Sequence, residues 1–500
     1  MHTKGFKIFT ILFIVLFVCS CSKTTLYLSP YEDDSIHVAK KIIVETNDGR
    51  TLELKNSTVK GQTLIGYTKD REKIKLDYSS IKSVRIEKTD RGLAVVYSGV
   101  ALVFAWLAIG VATAPEPPPS KCCPFIYSFD GQHYHLDAEP YGAAICEGLK
   151  RTEWSELEHL VEAGMQYKIL ITNELEETQY IDEIKLIVVD HLQGTQVISD
   201  TMGRIHTISN PLNPRKVNNS RGENLTPYFS QRDGIFWQTE IERIDPAEKE
   251  TLRDEILIEF PKPVGAKKAK LLVNARTSLW GAQMGDRFLT LYGDALEDWY
   301  ADVNRHGPAY HKVMSWYLEE ELYLLQIRVK TKTGWKTKGT IFGSGPFVSK
   351  DKVYTLDVSD VPGDTLVIKL TPPANFWNID QLAVDYSKNL PVNITEIEPV
   401  MAFDHRDKDV SEVLIATDNT YLILPEIGDS AEVTFLAPPQ DQSLQRTVIL
   451  KACGYYDIHL DSVRGEPRWD IIERLYSEPG FTHKFAMDEY LNWESKNDEN

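Results

Sequence analysis

The sequence predicts a mainly β protein: a small SH3-like or Sm-like barrel, one hydrophobic helix, then two or more antiparallel β-sandwich modules with a few helices. Three observations predict it. Short runs of alternating apolar and polar residues, bounded by Gly, Pro, Asn and Asp, recur from Ile42 to Lys451. Aromatic residues make up 10% of the chain, with 10 Trp and 23 Tyr, types that pack well on a pleated surface. One uncharged stretch, Leu93 to Ala114, has the length of a membrane-crossing helix.

At 500 residues, with 42% hydrophobic and 26% charged residues, the chain is long enough for several domains, each with a core. Its formal net charge of -18 argues against nucleic acid, whose phosphates require a basic face. The same charge disfavours flat adhesion to anionic lipid, so membrane contact falls to apolar segments.

The first element, residues 1–20, reads as a signal peptide. Lys4 and Lys7 form a basic start, and Ile8 to Val18 is an apolar core too short to span a bilayer comfortably. Val18-Cys19-Ser20-Cys21 then resembles the lipobox of bacterial lipoproteins: aliphatic at -3, small at -1, then cysteine. The resemblance implies that Cys21 accepts diacylglycerol, that cleavage precedes it, and that its new amine takes a further acyl chain such as palmitate. Several chains on one residue anchor stably, because each buried methylene contributes about 0.8 kcal/mol. Cys19 at -2 departs from the usual pattern. An uncleaved N-terminal anchor is the alternative.

Residues 21–41 read as the lipid-anchored linker and 42–90 as the small barrel. Asn47-Asp48-Gly49 supplies a tight hairpin between alternating runs, since Asn and Gly tolerate positive φ. No catalytic constellation occurs here, so the module reads as a spacer or docking unit.

The hydrophobic helix, residues 93–114, reaches roughly 30 Å. It is stopped by Pro115, Pro117, Pro118 and Pro119 in a linker of 115–121. A buried core helix is the other reading. A crossing conflicts with lipidation, because it places everything after Pro115 on the opposite face from Cys21. The flanks disagree as well: Lys82, Arg85, Lys88 and Arg91 precede the run and only Lys121 closely follows. Two arrangements remain. The run either folds back as an accessory anchor, leaving the C-terminal bulk extracytoplasmic, or crosses once and leaves that bulk cytoplasmic. The strand-rich, aromatic make-up favours the first.

Residues 122–250 read as a β-rich module. Phe125 to Phe129 and Gln132 to Ala138 alternate around Asp130-Gly131. The succession Cys-Pro-Phe, Asp-Gly, Glu-Pro-Tyr-Gly resembles a module of uncharacterised bacterial envelope proteins over residues 122–192, which brings no catalytic residues with it. His133, His135, Asp137 and Glu139 share a strand face by their period of two, a candidate metal set if a ligand arrives from elsewhere. Otherwise they are the wet face of a hairpin. Cys146 can pair with Cys122 or Cys123, a loop of roughly 25 residues stabilising by about 3 kcal/mol, or remain a free thiol. Strands follow at Tyr167 to Thr172 and Ile184 to Asp190, and Ser199 to Gly234 reads as long loops.

Residues 251–388 read as a β-sandwich, with strands at Ile256 to Phe260 and Lys270 to Arg276. Leu296, Trp299, Tyr300 and Val303 fall at helical spacing. The later strands broadly resemble jelly-roll galactose-binding-like modules. Trp280, Trp299, Trp316, Trp335 and Trp377 are either stacking platforms for sugar or sandwich core. Residues 389–490 read as a C-terminal β module, with strands at Glu412 to Ala416, Tyr421 to Leu424, Ala431 to Leu436 and Thr447 to Lys451. Residues 491–500 read as a frayed tail. Asp404, Asp407 and Asp409 crowd one loop but lack the glycine and closing glutamate of a calcium loop.

Motifs for catalysis are missing. Ser344 has glycines at ±1, which is not the spacing of a nucleophile elbow, and no phosphate-cradling loop or His-Glu-x-x-His occurs. The expectation is an envelope lipoprotein held to the membrane through Cys21 and the 93–114 helix, binding a protein partner or supporting assembly. It takes no cofactor and no nucleic acid. A glycan-binding or glycan-hydrolysing sandwich is the alternative.

Overall fold

The computed structural model describes residues 36–46, 50–60, 63–68, 73–77, 80–86, 123–238, 252–460 and 465–498. The segment expected to be a signal peptide, Cys21, the 93–114 run, the 115–121 linker and Cys122 lie outside the described residues. No described helix is long and apolar enough to cross a membrane. The chain divides into two compact units, Met1–Ala114 and Pro115–Asn500.

The described residues of the first unit form one antiparallel sheet. Its strands are β1 (Ile36–Thr46), β2 (Thr51–Lys60), β3 (Thr63–Tyr67), β4 (Lys73–Asp77) and β5 (Ile81–Ile86), in the order β4-β3-β2-β1-β5. β1 and β2 pair with Glu45 opposite Thr51, while Asn47-Asp48-Gly49 itself lies outside the described residues. Val44, Leu54, Leu64 and Leu76, one from each of four strands, are buried, as alternation requires.

The second unit opens with β6 (Phe125–Phe129), β7 (Tyr134–Ala138), β8 (Arg151–Glu156), β9 (Gln166–Thr172) and β10 (Glu177–His191). Next come β11 (Gln196–Ser199), β12 (Ile205–Ile208), β13 (Lys216–Asn218), β14 (Ile256–Pro261) and β15 (Lys268–Thr277). Three helices follow, α1 (Leu279–Thr290), α2 (Leu296–Asn304) and α3 (Pro308–Glu319). After them run β16 (Leu324–Thr331), β17 (Gly334–Phe342), β18 (Lys350–Asp357), β19 (Thr365–Leu370) and β20 (Trp377–Asp385). The chain closes with β21 (Asn393–Ile397), β22 (Pro399–Asp404), β23 (Leu422–Leu424), β24 (Ser430–Leu436), β25 (Gln445–Ile458), α4 (Trp469–Ser477) and α5 (Phe481–Asp498).

All described pairings are antiparallel, and they do not follow the chain in blocks. One sheet has the order β22-β24-β9-β6-β7 and another β21-β10-β25-β8, with β23 also on β10. Inward side chains of both, among them Ile126, Ile171 and Phe435 from one and Leu186, Val188 and Leu450 from the other, share a core. Between these N- and C-terminal strands is inserted a second sandwich-like pair, β13-β14-β19-β16-β17 and β18-β15-β20, plus a small β11-β12 ribbon. The boundaries expected at 250/251 and 388/389 therefore do not separate the sheets. The first and last segments build one body, because each strand's apolar face is buried only with its distant partner.

Helices α1 to α3 meet α4 and α5, which return from the far end of the chain. Ser278 caps α1 by accepting the Gly281 N–H at 2.8 Å, and Pro308 opens α3. Phe288 meets Trp316 edge-on at 4.7 Å, the Trp316 indole donates to Thr482 Oγ1 at 2.9 Å, and the hydroxyls of Tyr292 and Tyr476 lie 2.9 Å apart. Three local expectations change. Glu412 to Ala416 is not a strand but holds a single 3-10 turn, Glu412–Leu414. The 199–234 loops contain β12 and β13, and the tail after residue 491 continues α5 as far as Asp498.

Candidate functional site

The Asp130-Gly131 turn forms as expected, with Gly131 at φ 98°. Asp130 accepts the N–H groups of Gln132 and His133 at 2.7 Å each and meets His135 Nε2 at 2.7 Å. Those backbone donors, the His133 N–H foremost, hold its carboxyl well below the usual carboxylate range. His159, from the loop after β8, stacks on His135 with ring centroids 4.9 Å apart and binds Asp137 through Nδ1 and its N–H, both at 2.9 Å.

The four candidate ligands on this hairpin do not converge. His133 is exposed, His135 and Asp137 take separate partners, and Glu139 lies past the strand end in the interior. Among the described residues, no group of three or more His, Cys, Asp or Glu is arranged to hold a metal ion. Period two places side chains on one face, but the β7 strand ends at Ala138, and the chain then carries Glu139 under a different loop.

There Glu139 Oε2 accepts the N–H groups of Phe347 and Val348 at 2.7 and 2.5 Å, while Oε1 finds no hydrogen-bond partner among the described residues. Burial pushes its pKa up to about 7 against the pull of those donors and Lys350. The loop can come this close because residue 345 is glycine: a Cβ there would sit 2.5 Å from Oε1.

Beside it lies a buried ionic knot. Lys350 donates to the Glu139 carbonyl at 2.7 Å and pairs with Glu153. Glu153 also accepts the Tyr141 N–H at 2.8 Å and faces Arg151 at 3.5 Å. Burial raises the Glu153 pKa, but Lys350, Arg151 and Lys352 outweigh it and bring it down to about 2. Among the described residues Lys352 hydrogen-bonds only to uncharged oxygens, the Trp154 carbonyl and Ser199 Oγ. Burial brings its pKa down to about 8 although Glu153 pulls the other way.

This knot floors a cleft of about 410 Å³ between β8, β15, β17 and β18. Its walls are apolar, with Trp154, Val273, Ile341 and Tyr354, and its rim carries Met202 and Phe342, which are 71% and 45% exposed. A neighbouring cavity of about 190 Å³, walled by Tyr317 and Tyr323, shares Arg151, Phe342, Gly343 and Ser344 with the cleft. Strand alternation did not signal this site, since Lys350 and Lys352 read like the solvated face of a strand.

The remaining candidates resolve individually. Cys123 is disulfide-bonded, but Cys146 and Cys453 are free and buried, so of the two readings open for Cys146, a bridge to Cys122 or Cys123 and a free buried thiol, the second holds. Cys146 caps the turn Glu147–Leu149, where burial pushes its thiol up to about 12. Ser344 donates within its own loop, to Gly345 O at 3.2 Å. Asp404 accepts the N–H groups of Arg406 and Lys408, and Asp409 the N–H and hydroxyl of Ser411, so both carboxylates shape turns. Of the five tryptophans, Trp299, Trp316 and Trp377 are buried and Trp280 packs against Tyr490 at 5.2 Å. Trp335 is 38% exposed, with Lys369 4.7 Å above its ring.

No protein-family model matches the chain, and no curated protein matches it. Among solved structures it is similar to a GH31 alpha-xylosidase from Xanthomonas citri, at 10% identity and a TM-score of 0.17 over 86% of this chain and 34% of that one. The chain thus spans about a third of the xylosidase's length. A second similar structure is that of Sulfolobus Turreted Icosahedral Virus, at 10% identity and a TM-score of 0.14, covering 62% of this chain and 91% of that one.

Proposed function

We propose that the protein is a lipid-anchored envelope protein with a binding or structural role. Cys21 carries the acyl chains, residues 42–90 form an SH3-like or Sm-like barrel, residues 93–114 make an accessory membrane helix, and residues 115–500 face outward from the cytoplasm. The single observation that carries the non-catalytic part is where the aromatic rings go. Three of the five tryptophans that could have formed a sugar platform are buried and a fourth is packed on Tyr490, which favours rings as core over rings as a glycan surface. At the cleft floor Glu153 is held in ion pairs and Glu139 Oε2 by loop N–H groups, which supports the same reading.

The test is metabolic labelling with an alkyne palmitate in cells making the natural chain or Cys21→Ala, followed by protease treatment of intact cells and of spheroplasts. Label on the natural chain alone, with the C-terminal unit cut before the inner membrane is lysed, supports the proposal. An unlabelled chain retaining its initiator methionine, or cleavage only after lysis, overturns it.

A further inference from the structure

The cleft above the ionic knot carries an uneven charge balance. Its lining contains Arg151, Lys350 and Lys352 against one carboxylate, Glu153, which Lys350 already engages. Acidic groups just outside are committed elsewhere: Asp200 to Arg204 at 2.6 Å and His206 at 3.2 Å, and Asp351 to Arg232 at 3.4 Å. Among the described residues Lys352 pairs with no carboxylate, although the chain as a whole carries a net charge of -18. A half-buried ammonium without a counter-ion is costly unless something anionic completes it. Burial lowers its pKa, although Glu153, Asp200 and Asp351 pull the other way from beyond contact distance.

The rest of the cleft is greasy. Trp154 forms one wall, held by Gly203, where a Cβ would lie 2.3 Å from its ring. Met202 and Phe342 stand uncovered at the mouth, and a volume of about 410 Å³ falls within the range of small-molecule sites. We propose that this cleft binds a small amphipathic carboxylate, its head paired with Lys352 and its apolar body held by Trp154, Met202 and Phe342. The inference rests on the binding role proposed above and names its ligand class.

The experiment is calorimetric titration of the full chain, in nanodiscs of phosphatidylcholine, with 4-phenylbutyrate, octanoate, 4-phenylbutanol and 4-phenylbutylamine, and empty discs as reference. Saturable binding of the two carboxylates at one site per chain is expected, with the alcohol and the amine at least tenfold weaker. Lys352→Met is expected to weaken carboxylate binding at least tenfold. Thr201→Glu, at a half-buried position beside the exposed Met202 at the cleft mouth, is expected to do the same without touching the knot. Equal binding of the alcohol, no binding of either carboxylate, or full affinity in Thr201→Glu would each overturn the proposal. Failure of the lipid anchor would appear only in the palmitate label, so the two readings fail separately.

Discussion

Lys350 of β18 ties the inserted sheets to Glu153 of β8 and, with the same ammonium, to the Glu139 carbonyl at 2.7 Å. Both side chains of the pair are nearly inaccessible, at 5% and 14%. Removing one member of such a pair strands the other, a loss worth about 3 kcal/mol. Lys350→Met is expected to lower unfolding stability by that order in a urea titration at pH 7. The double variant Lys350→Met/Glu153→Gln is expected to recover at least half, because no charge is then left unanswered. Equal stability of the single variant and the natural chain would remove the knot as a structural tie.

Glu177 gives a pH signature. Burial raises its carboxyl to about 8, helped by Asp286 and Glu139 and opposed by the Gln179 amide, and its Oε2 has no hydrogen-bond partner among the described residues. A raised folded-state pKa contributes stability that is complete below the unfolded value of 4.5 and is lost as pH rises through about 8. While this group titrates, the loss approaches about 1.4 kcal/mol per pH unit. Glu177→Gln is expected to flatten the fall in stability between pH 5 and 8. Subtracting its curve from that of the natural chain isolates Glu177 from Glu139 and Glu156, which burial raises to about 7 and about 8. Parallel curves would show that Glu177 does not titrate there.

His483 moves the other way. It is fully enclosed, lies 2.8 Å from Glu320 and has its pKa lowered to about 4 by burial. Protonation of a buried imidazole costs stability as pH falls from 6.5 toward 4, so His483→Gln is expected to reduce acid sensitivity in that window, read as the midpoint of thermal unfolding.

Gly203 holds a left-handed φ of 77° against the Trp154 ring. Gly203→Ala combines backbone strain with overpacking and is expected to cost about 1–3 kcal/mol, seen as a lower urea midpoint. An unchanged midpoint would mean that Trp154 can leave the cleft wall freely.

Truncation after residue 465 removes α4 and α5 and uncovers Phe288, Tyr292 and Trp316 together. The expected result is loss of soluble protein, measured as the fraction remaining after ultracentrifugation, because an apolar patch of that kind promotes association.

Local periodicity carried much of the fold. Phe125 to Phe129 alternates and forms β6 with those same ends, and Leu296, Trp299 and Val303 mark the buried side of α2. Helix α5 was illegible because its apolar residues gather on no single stripe; Phe481 and Ala486 are buried by the other helices rather than by an amphipathic pattern. The cleft was hidden for a related reason. In "KDKVYTLD" the lysines alternate with apolar residues like any solvated face, and only the meeting of β18 with β8 turns that face inward. Period two reports which side of a strand a residue occupies, never which strand from elsewhere will cover it.

The interleaving of β10 with β25 has a consequence for how this protein is made. His191 meets Thr447, 256 residues downstream, so the body built by the first and last segments cannot close until residue 447 has been made and delivered. Until then β10 keeps a bare hydrogen-bonding edge, the sort that recruits strangers. Slow, late assembly and a need for chaperone cover during synthesis follow from that one pairing.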